Sequence, residues 1–137
     1  MRIEAKHDLG PDDGFTVEER LYEFNREATG AHDGEGLGFV LRDDAGALIG
    51  AALGYSWAGI SELRQMWVDR QHRGRGFGRA LLDAFVAEAA RRGVRRIWLS
   101  SHSFQAPAMY EKAGFVRMAE LRDFPIGHSN IILCKVL

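Results

Sequence analysis

Apolar residues recur along this chain at two different periods. Alternation with a period of two, or a short apolar run between turn residues, predicts strands, and a spacing of three to four residues predicts amphipathic helices. The predicted strands cover residues 2–6, 37–42, 47–57, 60–68, 94–101, 115–121 and 129–136. The predicted helices cover residues 17–28, 76–92 and 106–113. This order of elements predicts an α/β fold in which helices flank a mixed sheet.

Turn residues set the direction of the predicted strands. Short turns at 43–46 and 58–59 connect three successive strands, which are therefore expected to be antiparallel. A helix follows strand 60–68 and leads to the next strand, and such a crossover makes the two strands parallel. Near the N-terminus, a turn is predicted at 10–14, and Thr16 is predicted to be the N-cap of the first helix.

The composition limits the classes of function. A chain of 137 residues, 46% of them hydrophobic, can bury one core, so residues 1–137 are expected to form a single domain. The formal net charge of −1 does not indicate that the protein as a whole binds nucleic acid or a membrane. The single cysteine, Cys134, excludes an internal disulfide and a cysteine-based zinc cluster. Neither an apolar stretch of membrane-spanning length nor a signal-peptide core occurs, so a cytoplasmic protein is expected.

Residues 65–80, with the sequence QMWVDRQHRGRGFGRA, are predicted to join a strand end, a glycine-rich loop and a helix start. A helix N-terminus presents unpaired backbone N–H groups and the positive end of the helix dipole, and glycine lets an anion approach the backbone closely. Guanidinium groups in the same stretch add donors suited to phosphate oxygens. The residues of this predicted polyphosphate site are Arg73, Gly74, Arg75, Gly76, Gly78 and Arg79.

The spacing of these glycines distinguishes between kinds of polyphosphate loop. A Walker loop requires a lysine that this stretch lacks, and a dinucleotide-binding fingerprint would require glycine at the position of Arg79. The order Q-x-x-G-x-G, formed by Gln71, Gly74 and Gly76, resembles the acyl-CoA pyrophosphate loop of the GNAT N-acetyltransferase superfamily. Taken alone, the same stretch would also suit an ordinary glycine-rich turn between a strand and a helix.

A second motif lies in the last predicted helix and strengthens this resemblance. The C-terminal motif of GNAT proteins typically reads N-x-x-A-x-x-x-Y-x-K-x-G-F. The matching residues of this chain are Ala106, Tyr110, Lys112, Gly114 and Phe115. Ser103 stands in the asparagine position, and its shorter side chain reaches less far toward a donor. With two motifs in the right order and a strand between them, residues 37–137 resemble a small bacterial single-domain GNAT protein.

The resemblance implies a fold and a donor site. The GNAT fold has a mostly antiparallel sheet with a splayed central pair of parallel strands, and the family uses acetyl-CoA without a metal. Backbone amides of the glycine loop would bind the CoA pyrophosphate, and main-chain groups of the preceding strand would pair with the pantetheine arm. The implied donor-binding residues are Met66, Trp67, Val68, Arg73, Gly74, Arg75, Gly76, Phe77, Gly78, Arg79, Ser103 and Tyr110.

The resemblance also implies two groups that assist acyl transfer. Tyr110 is the implied general acid for the departing thiolate, because the family often places a tyrosine near the CoA sulfur and a phenol has a pKa of about 10. The backbone N–H of Val68 is the implied donor to the oxyanion. A tyrosine that only packs in a half-buried helix is the alternative interpretation of Tyr110.

The general base is less defined. Glu62 is the candidate, because several family members use a glutamate in this strand, and strand alternation predicts that it shares a face with Met66 and Val68. A half-exposed strand glutamate that pairs with Arg64 and has no catalytic role fits the sequence equally well. The histidines His102 and His128, whose ordinary pKa suits a base better, and water remain open as alternatives.

The predicted function is direct transfer of an acetyl group from acetyl-CoA to a primary amine within a ternary complex, since no nucleophilic cysteine accompanies the motifs. The acceptors favoured are small molecules (polyamine, aminoglycoside-like or amino-acid amines) ahead of a protein amine, and a homodimer is a family expectation. The alternative is a CoA-sensing or interaction domain of the same fold with little catalysis, which Ser103 favours and Tyr110 opposes. RNA binding by the arginines at 91–92 and 95–96 is a weaker alternative to a solvated helix end.

Overall fold

The computed structural model describes residues 1–8 and 10–137, and these divide into two compact units, residues 1–32 and 33–137. The helices of the described chain are α1 (Pro11–Thr29), α2 (Phe77–Arg91) and α3 (Pro107–Lys112). Its strands are β1 (Glu35–Arg42), β2 (Leu48–Trp57), β3 (Ile60–Val68), β4 (Arg96–His102), β5 (Val116–Arg122) and β6 (Ser129–Val136). A single 3-10 turn, Arg70–His72, precedes α2. The predicted α/β class with a mixed sheet is confirmed.

The first unit consists mainly of α1. Pro11 occupies the first turn of this helix, where its fixed φ suits the helix and its missing N–H costs nothing. Two aspartates in the same turn interact favourably with the helix dipole. Gly30, at φ 72°, ends the helix by donating its N–H to the carbonyl of Arg26 at 2.8 Å. Within the described residues, no helix is both long and apolar enough to cross a membrane.

Three predictions for this region are wrong. Residues 2–6 form no strand, and the turn expected at 10–14 is the first part of α1. The N-cap is Gly10, whereas Thr16 lies within the helix, where its hydroxyl donates to the carbonyl of Asp12 at 2.9 Å. Pro11 and the acidic first turn begin the helix early, and this outweighs the cost of about 1 kcal/mol for Gly14 inside it.

The second unit contains a six-stranded sheet of described residues in the order β1-β2-β3-β4-β6-β5. As predicted, β1, β2 and β3 are successive antiparallel strands, and α2 connects β3 to the parallel strand β4. The pair β3–β4 is short, because it joins only residues 60–62 to residues 96–98. Beyond Glu62 and Trp98 the two strands diverge, and β4 pairs with β6 alone.

The core lies on one face of this sheet, against α2 and α3. It buries Leu63, Leu81, Leu82, Phe85, Ala89, Ile97, Leu99, Tyr110, Phe115, Ile131 and Leu133, among others. Full burial of a leucine or phenylalanine side chain contributes about 1.5–3 kcal/mol. Because Leu82 and Phe85 are fully buried in this core, the start of α2 is fixed relative to the end of β3.

A bulge in β3 overturns the predicted alternation of its side chains. Leu53 pairs with Gln65 but Gly54 pairs with Leu63, so Arg64 is an extra residue in the strand. Met66 and Val68 consequently pack against the core on the same side as Leu63. Glu62 was predicted to share a face with Met66 and Val68. That prediction is wrong, because one extra residue reverses the face of every side chain after it.

The arginines at the C-terminal end of α2 are engaged within the protein. Glu88 accepts hydrogen bonds from Arg91 at 2.6 and 2.7 Å and from Arg92 at 3.0 Å, and these bonds lower the pKa of Glu88 to about 2. Arg92 also donates to the carbonyl of Gly36 at 2.9 Å. These two arginines therefore hold the end of the helix together and connect it to β1.

The turn between β2 and β3 carries a strained alanine. Ala58 has a φ of 53° and Gly59 a φ of 82°, the backbone that two-residue hairpin turns prefer and that asparagine followed by glycine adopts most easily. We expect Ala58→Asn to raise the free energy of unfolding by about 0.5–1 kcal/mol. Urea unfolding would measure the change, with Ala45→Asn in the preceding turn, at an unstrained φ, as the control. Equal effects of the two substitutions would contradict the strain at Ala58.

Candidate active site

A cleft opens where β3 and β4 diverge. It has a volume of about 1090 Å³, above the usual range for a small-ligand pocket, and it extends from the end of β4 to the glycine-rich loop before α2. On its β3 side, residues 63–68 pair with β2 along one edge and with no described strand along the other. These free backbone groups can pair with an extended ligand that carries amide groups, as an added strand would.

The free edge of β3 includes Val68. The N–H of Asp69 donates to the carbonyl of Ile49 at 2.8 Å and so points toward β2. Because successive N–H groups of a strand point to opposite sides, the N–H of Val68 points toward the cleft. The carbonyl of Val68 points the same way and accepts a hydrogen bond from Nε of Arg73 at 2.9 Å.

The glycine loop is shaped by its own short hydrogen bonds. Asp69 accepts from the N–H of Gln71 at 3.0 Å and lies 3.0 Å from Nδ1 of His72; the His72 contact is the main reason that the pKa of Asp69 is lowered. Gly74 and Gly76 follow with φ of 76° and 83°, a backbone that other residues rarely adopt. The aspartate thus fixes the start of the loop, and the glycines turn it into α2.

The N-terminus of α2 has the features of an anion site. Its N-cap, Gly76, offers no side chain to the first backbone N–H groups, and the first turn contains no acidic residue. Gly76, Phe77, Gly78 and Arg79 all line the cleft. The free N–H groups and the positive end of the helix dipole therefore meet the same space.

Tyr110 lies at the other wall of the cleft, on α3. Its ring is 6% exposed and packs edge-to-face on Phe115, with 5.9 Å between ring centroids. Its hydroxyl makes no hydrogen bond to any described residue, and burial raises the pKa of Tyr110 to about 12. The phenol is therefore neutral at physiological pH and free to donate a hydrogen bond into the cleft.

Glu62 lies beside the cleft and forms an ion pair with Arg64. Its Oε2 accepts a hydrogen bond from Nε of Arg64 at 3.0 Å, and the guanidinium carbon lies 5.3 Å from the ring centroid of Tyr55. Arg64 lines the cleft, whereas Glu62 is not among the lining residues. The predicted base is therefore paired with Arg64, the partner that the sequence suggested for it.

Ser103 and the two candidate histidines lie at the end of β4. The hydroxyl of Ser103 accepts from the N–H of Ser129 at 3.1 Å and so ties β4 to β6. Nδ1 of His102 lies 3.0 Å from the carbonyl of Phe124, and the rings of His102 and His128 both contact Phe104 at centroid distances of 5.2 and 5.0 Å. Of these residues, only Phe104 lines the cleft.

The structure brings together most of the residues predicted from sequence. The predicted residues that line the cleft are Met66, Trp67, Val68, Arg73, Gly74, Gly76, Phe77, Gly78, Arg79 and Tyr110. The predicted residues outside the lining are Glu62, Arg75 and Ser103. The lining residues that sequence reasoning missed include Arg64, His72, Ser100, Phe104, Gln105 and Met109. Most of these lie between or beside the two motifs, where no spacing rule singles them out.

Comparison with known proteins decides the family. The family model described as "Acetyltransferase (GNAT) family" matches residues 4–115, most of the chain, including the glycine loop and the helix with Tyr110. The chain belongs to the GNAT acetyltransferase family. The resemblance inferred from the two motifs is confirmed, and the sheet with its diverging parallel pair is the GNAT fold.

Three relatives of the chain are described as acetyltransferases. A mycothiol acetyltransferase from Propionibacterium freudenreichii is 35% identical over an alignment of 101 positions, which covers 66% of this chain and 31% of that protein. A blasticidin-S acetyltransferase from Streptomyces morookaense is 32% identical over 94 residues, 68% of this chain and 66% of that protein. The crystal structure of an acetyltransferase from Bacillus cereus matches with a TM-score of 0.84 and 27% identity, covering 100% of this chain and 98% of that one.

The chain spans about a third of the length of the mycothiol enzyme and about two thirds of the blasticidin-S enzyme. It covers nearly the whole of the B. cereus acetyltransferase. These comparisons therefore agree on one description, an acetyltransferase of the GNAT family.

Proposed function

We propose that this GNAT protein transfers the acetyl group of acetyl-CoA to the primary amine of a small molecule, by direct attack within a ternary complex. The observation that carries the proposal is the cleft itself. One end is the uncapped N-terminus of α2, and the neutral, unpartnered phenol of Tyr110 lies on its wall. An anion site and a proton donor that share one cleft suit a long anionic donor with a thiolate leaving group.

The donor would bind along β3. Its pyrophosphate would accept hydrogen bonds from the N–H groups at Gly76, Phe77 and Gly78, and Arg79 would add positive charge. Arg79 is already held by Asp83 at 2.9 Å, so its contribution would be smaller than that of a free guanidinium. The amide groups of the pantetheine arm would pair with the free edge of residues 63–68.

In the transfer step, the neutral amine attacks the thioester carbon, and negative charge develops on the carbonyl oxygen. A free N–H on the cleft edge of residues 63–68 is the proposed donor to that oxygen. The C–S bond then breaks while the nitrogen releases its proton to water, and CoA leaves as a thiolate that accepts a hydrogen bond from Tyr110. Complete proton transfer from a phenol with a pKa of about 12 to a thiolate whose thiol has a pKa of about 8.5 is uphill by about 5 kcal/mol. Tyr110 therefore acts by hydrogen-bonding the developing thiolate.

The ammonium form of the acceptor must lose a proton before it attacks. Glu62 and His128 both lie outside the cleft lining, so either would take the proton from an amine at the edge of the cleft or through a bridging water, and solvent water is the third candidate. Glu62 is also held by Arg64, whose Nε donates to its Oε2 at 3.0 Å.

The donor site can be tested by thermal unfolding with and without acetyl-CoA or CoA. A bound ligand at a hundredfold excess over its Kd stabilises the folded state by about 2.7 kcal/mol, so a clear rise in Tm is expected for both. Gly76→Val should abolish the rise, since it places a branched side chain at the N-terminus of α2 and strains a φ of 83°. The matched control is Gly93→Val, at the other end of α2 with a φ of 77°. The backbone strain in Gly93→Val is similar, and the Tm of this variant should still rise with CoA. An undiminished rise in Gly76→Val would place the donor elsewhere.

A second candidate function is a CoA-sensing domain with little catalysis. The observations that favour it are the engagement of Ser103 with β6 and the position of Glu62 outside the cleft lining. Such a protein would gain the same stability from CoA but would not consume acetyl-CoA with any amine. A panel of primary amines, followed by the release of free CoA thiol, distinguishes the two candidates.

A further inference from the structure

Arg64 is fixed in the cleft at the middle of β3, away from the glycine loop. As the extra residue of the bulge, it lies four residues before Val68, which corresponds to about 13 Å along a strand. Its Nε donates to Glu62 at 3.0 Å, and its guanidinium lies over the ring of Tyr55. These two contacts hold the plane of the guanidinium. Its terminal nitrogens make no hydrogen bond to any described residue, and the side chain is half exposed.

A held guanidinium with free terminal nitrogens suits a carboxylate. The two nitrogens match the two oxygens of a carboxylate in a parallel, bidentate arrangement, and a fixed plane loses little entropy when the bond forms. The other arginines of the lining, Arg73 and Arg79, lie toward the glycine loop, where Val68 and Asp83 bind them. Arg64 is therefore the cation near the end of the cleft where the acetyl group would lie.

The partner of Arg64 supplies the complementary charge. Oε1 of Glu62 accepts no hydrogen bond from a described residue, since Arg64 binds Oε2. An ion pair whose outer atoms are both free complements a ligand that carries an ammonium and a carboxylate on the same carbon atom. The ammonium would donate to Glu62, and the carboxylate would accept from Arg64.

We propose that the acceptor of this acetyltransferase is an α-amino acid, bound through its carboxylate by Arg64 and through its amine by Glu62. The proposal rests on the proposed function, because it assigns the second substrate of the same cleft. It also selects among the acceptors that the sequence left open. No described residue of the cleft lining is an aspartate or a glutamate, so polyamines and aminoglycosides would meet Arg64 without a counter-charge beyond Glu62.

The test compares each amino acid with the amine that lacks its carboxylate. With saturating acetyl-CoA, kcat/KM for the best amino acid should exceed that for its decarboxylated counterpart by about tenfold or more. Arg64→Met should lower kcat/KM for the amino acid by about tenfold to a hundredfold more than it lowers kcat/KM for the decarboxylated amine. The kcat/KM of Arg64→Lys for the amino acid should lie between those of the wild type and Arg64→Met, because lysine keeps the charge but lacks the planar guanidinium. Arg96→Met, an exposed arginine at the paired end of β4, is the matched control.

Binding provides a second readout that does not require turnover. In the presence of CoA, the amino acid should raise the Tm of the wild type and of Arg96→Met but not that of Arg64→Met. Equal kcat/KM for amino acid and amine in the wild type would overturn the proposal, and so would equal losses for both in Arg64→Met. Binding that depends on Arg64 without any turnover would support the subsite and refute the proposed transfer. CoA binding with neither amino-acid binding nor amino-acid turnover would overturn the subsite alone.

Discussion

Replacing Tyr110 with phenylalanine is expected to lower kcat by about a hundredfold or more while leaving the affinity for acetyl-CoA unchanged. The substitution keeps the buried ring and its edge-to-face contact with Phe115 and removes only the hydroxyl. The hydrogen bond from Tyr110 would be made only as the C–S bond breaks, so its loss should appear in turnover and not in donor binding. Steady-state kinetics and the Tm shift with CoA measure the two effects separately.

The pH dependence sharpens this expectation. With a pKa of about 12, Tyr110 stays protonated from about pH 6 to pH 9, so the ratio of wild-type to Tyr110→Phe activity should be constant over that range. Tyr22→Phe, outside the cleft lining, is the control for losing a phenol. Equal turnover in Tyr110→Phe and wild type would remove Tyr110 from the reaction. A parallel loss of CoA affinity would make it a binding residue.

The raised pKa of Tyr110 also affects stability at high pH. An unfolded tyrosine ionises above about pH 10, whereas the folded one ionises near pH 12, so unfolding releases a proton between these values. The folded state should therefore lose about 3 kcal/mol of stability as the pH rises from about 10 to about 12. The Tyr110→Phe variant should not show this part of the loss of stability at high pH. Urea unfolding across that pH range would detect the difference.

Replacing Gly54 with alanine is expected to cost about 3 kcal/mol or more of stability, or to prevent folding. A Cβ at this position would overlap the carbonyl oxygen of Glu62 and lie 2.9 Å from Cζ of Phe85. Neither neighbour can yield cheaply, because one is backbone within the paired strands β2 and β3 and the other is fully buried in the core. Glycine is thus required where β2 faces the bulge.

Gly36→Ala is the matched control for this prediction. Gly36 lies in the same sheet, on β1, has no positive φ, and a Cβ there would meet no atom within 4 Å. Its substitution should change stability by less than about 0.5 kcal/mol. Urea unfolding of both variants gives the comparison, and a Gly54→Ala protein as stable as Gly36→Ala would contradict the close packing at the bulge.

Local patterns in the sequence predicted most of the second unit. The runs that became β1 to β6 are bounded by glycine-containing turns, and α2 has an apolar stripe along one side, so each element had a local cause that the chain displays. At the N-terminus, a weak alternation over residues 2–6 suggested a strand that does not form. Pro11 and the two aspartates after it determined the outcome there, by beginning α1 six residues earlier than expected.

The candidate site was predictable where one continuous stretch forms it and not where tertiary structure forms it. The glycine loop and the helix of Tyr110 are each formed by one continuous stretch of sequence, so the spacing of their residues identified them. Glu62 was assigned to a face by counting alternate residues, and the bulge at Arg64 makes that count fail for Met66 and Val68. The sequence suggested Arg64 only as a partner of Glu62, because its place in the cleft depends on a register shift and on Tyr55 of the neighbouring strand.

The bulge also has a consequence for comparing and engineering sequences of this family. Because Arg64 is a single inserted residue, moving the insertion by one or two positions would exchange which side chains of β3 face the core and which face the second substrate, with no change in amino-acid composition. Two relatives could therefore differ in acceptor although their aligned residues are identical. In an alignment, their difference would appear as the position of a one-residue gap, which contributes little to percentage identity.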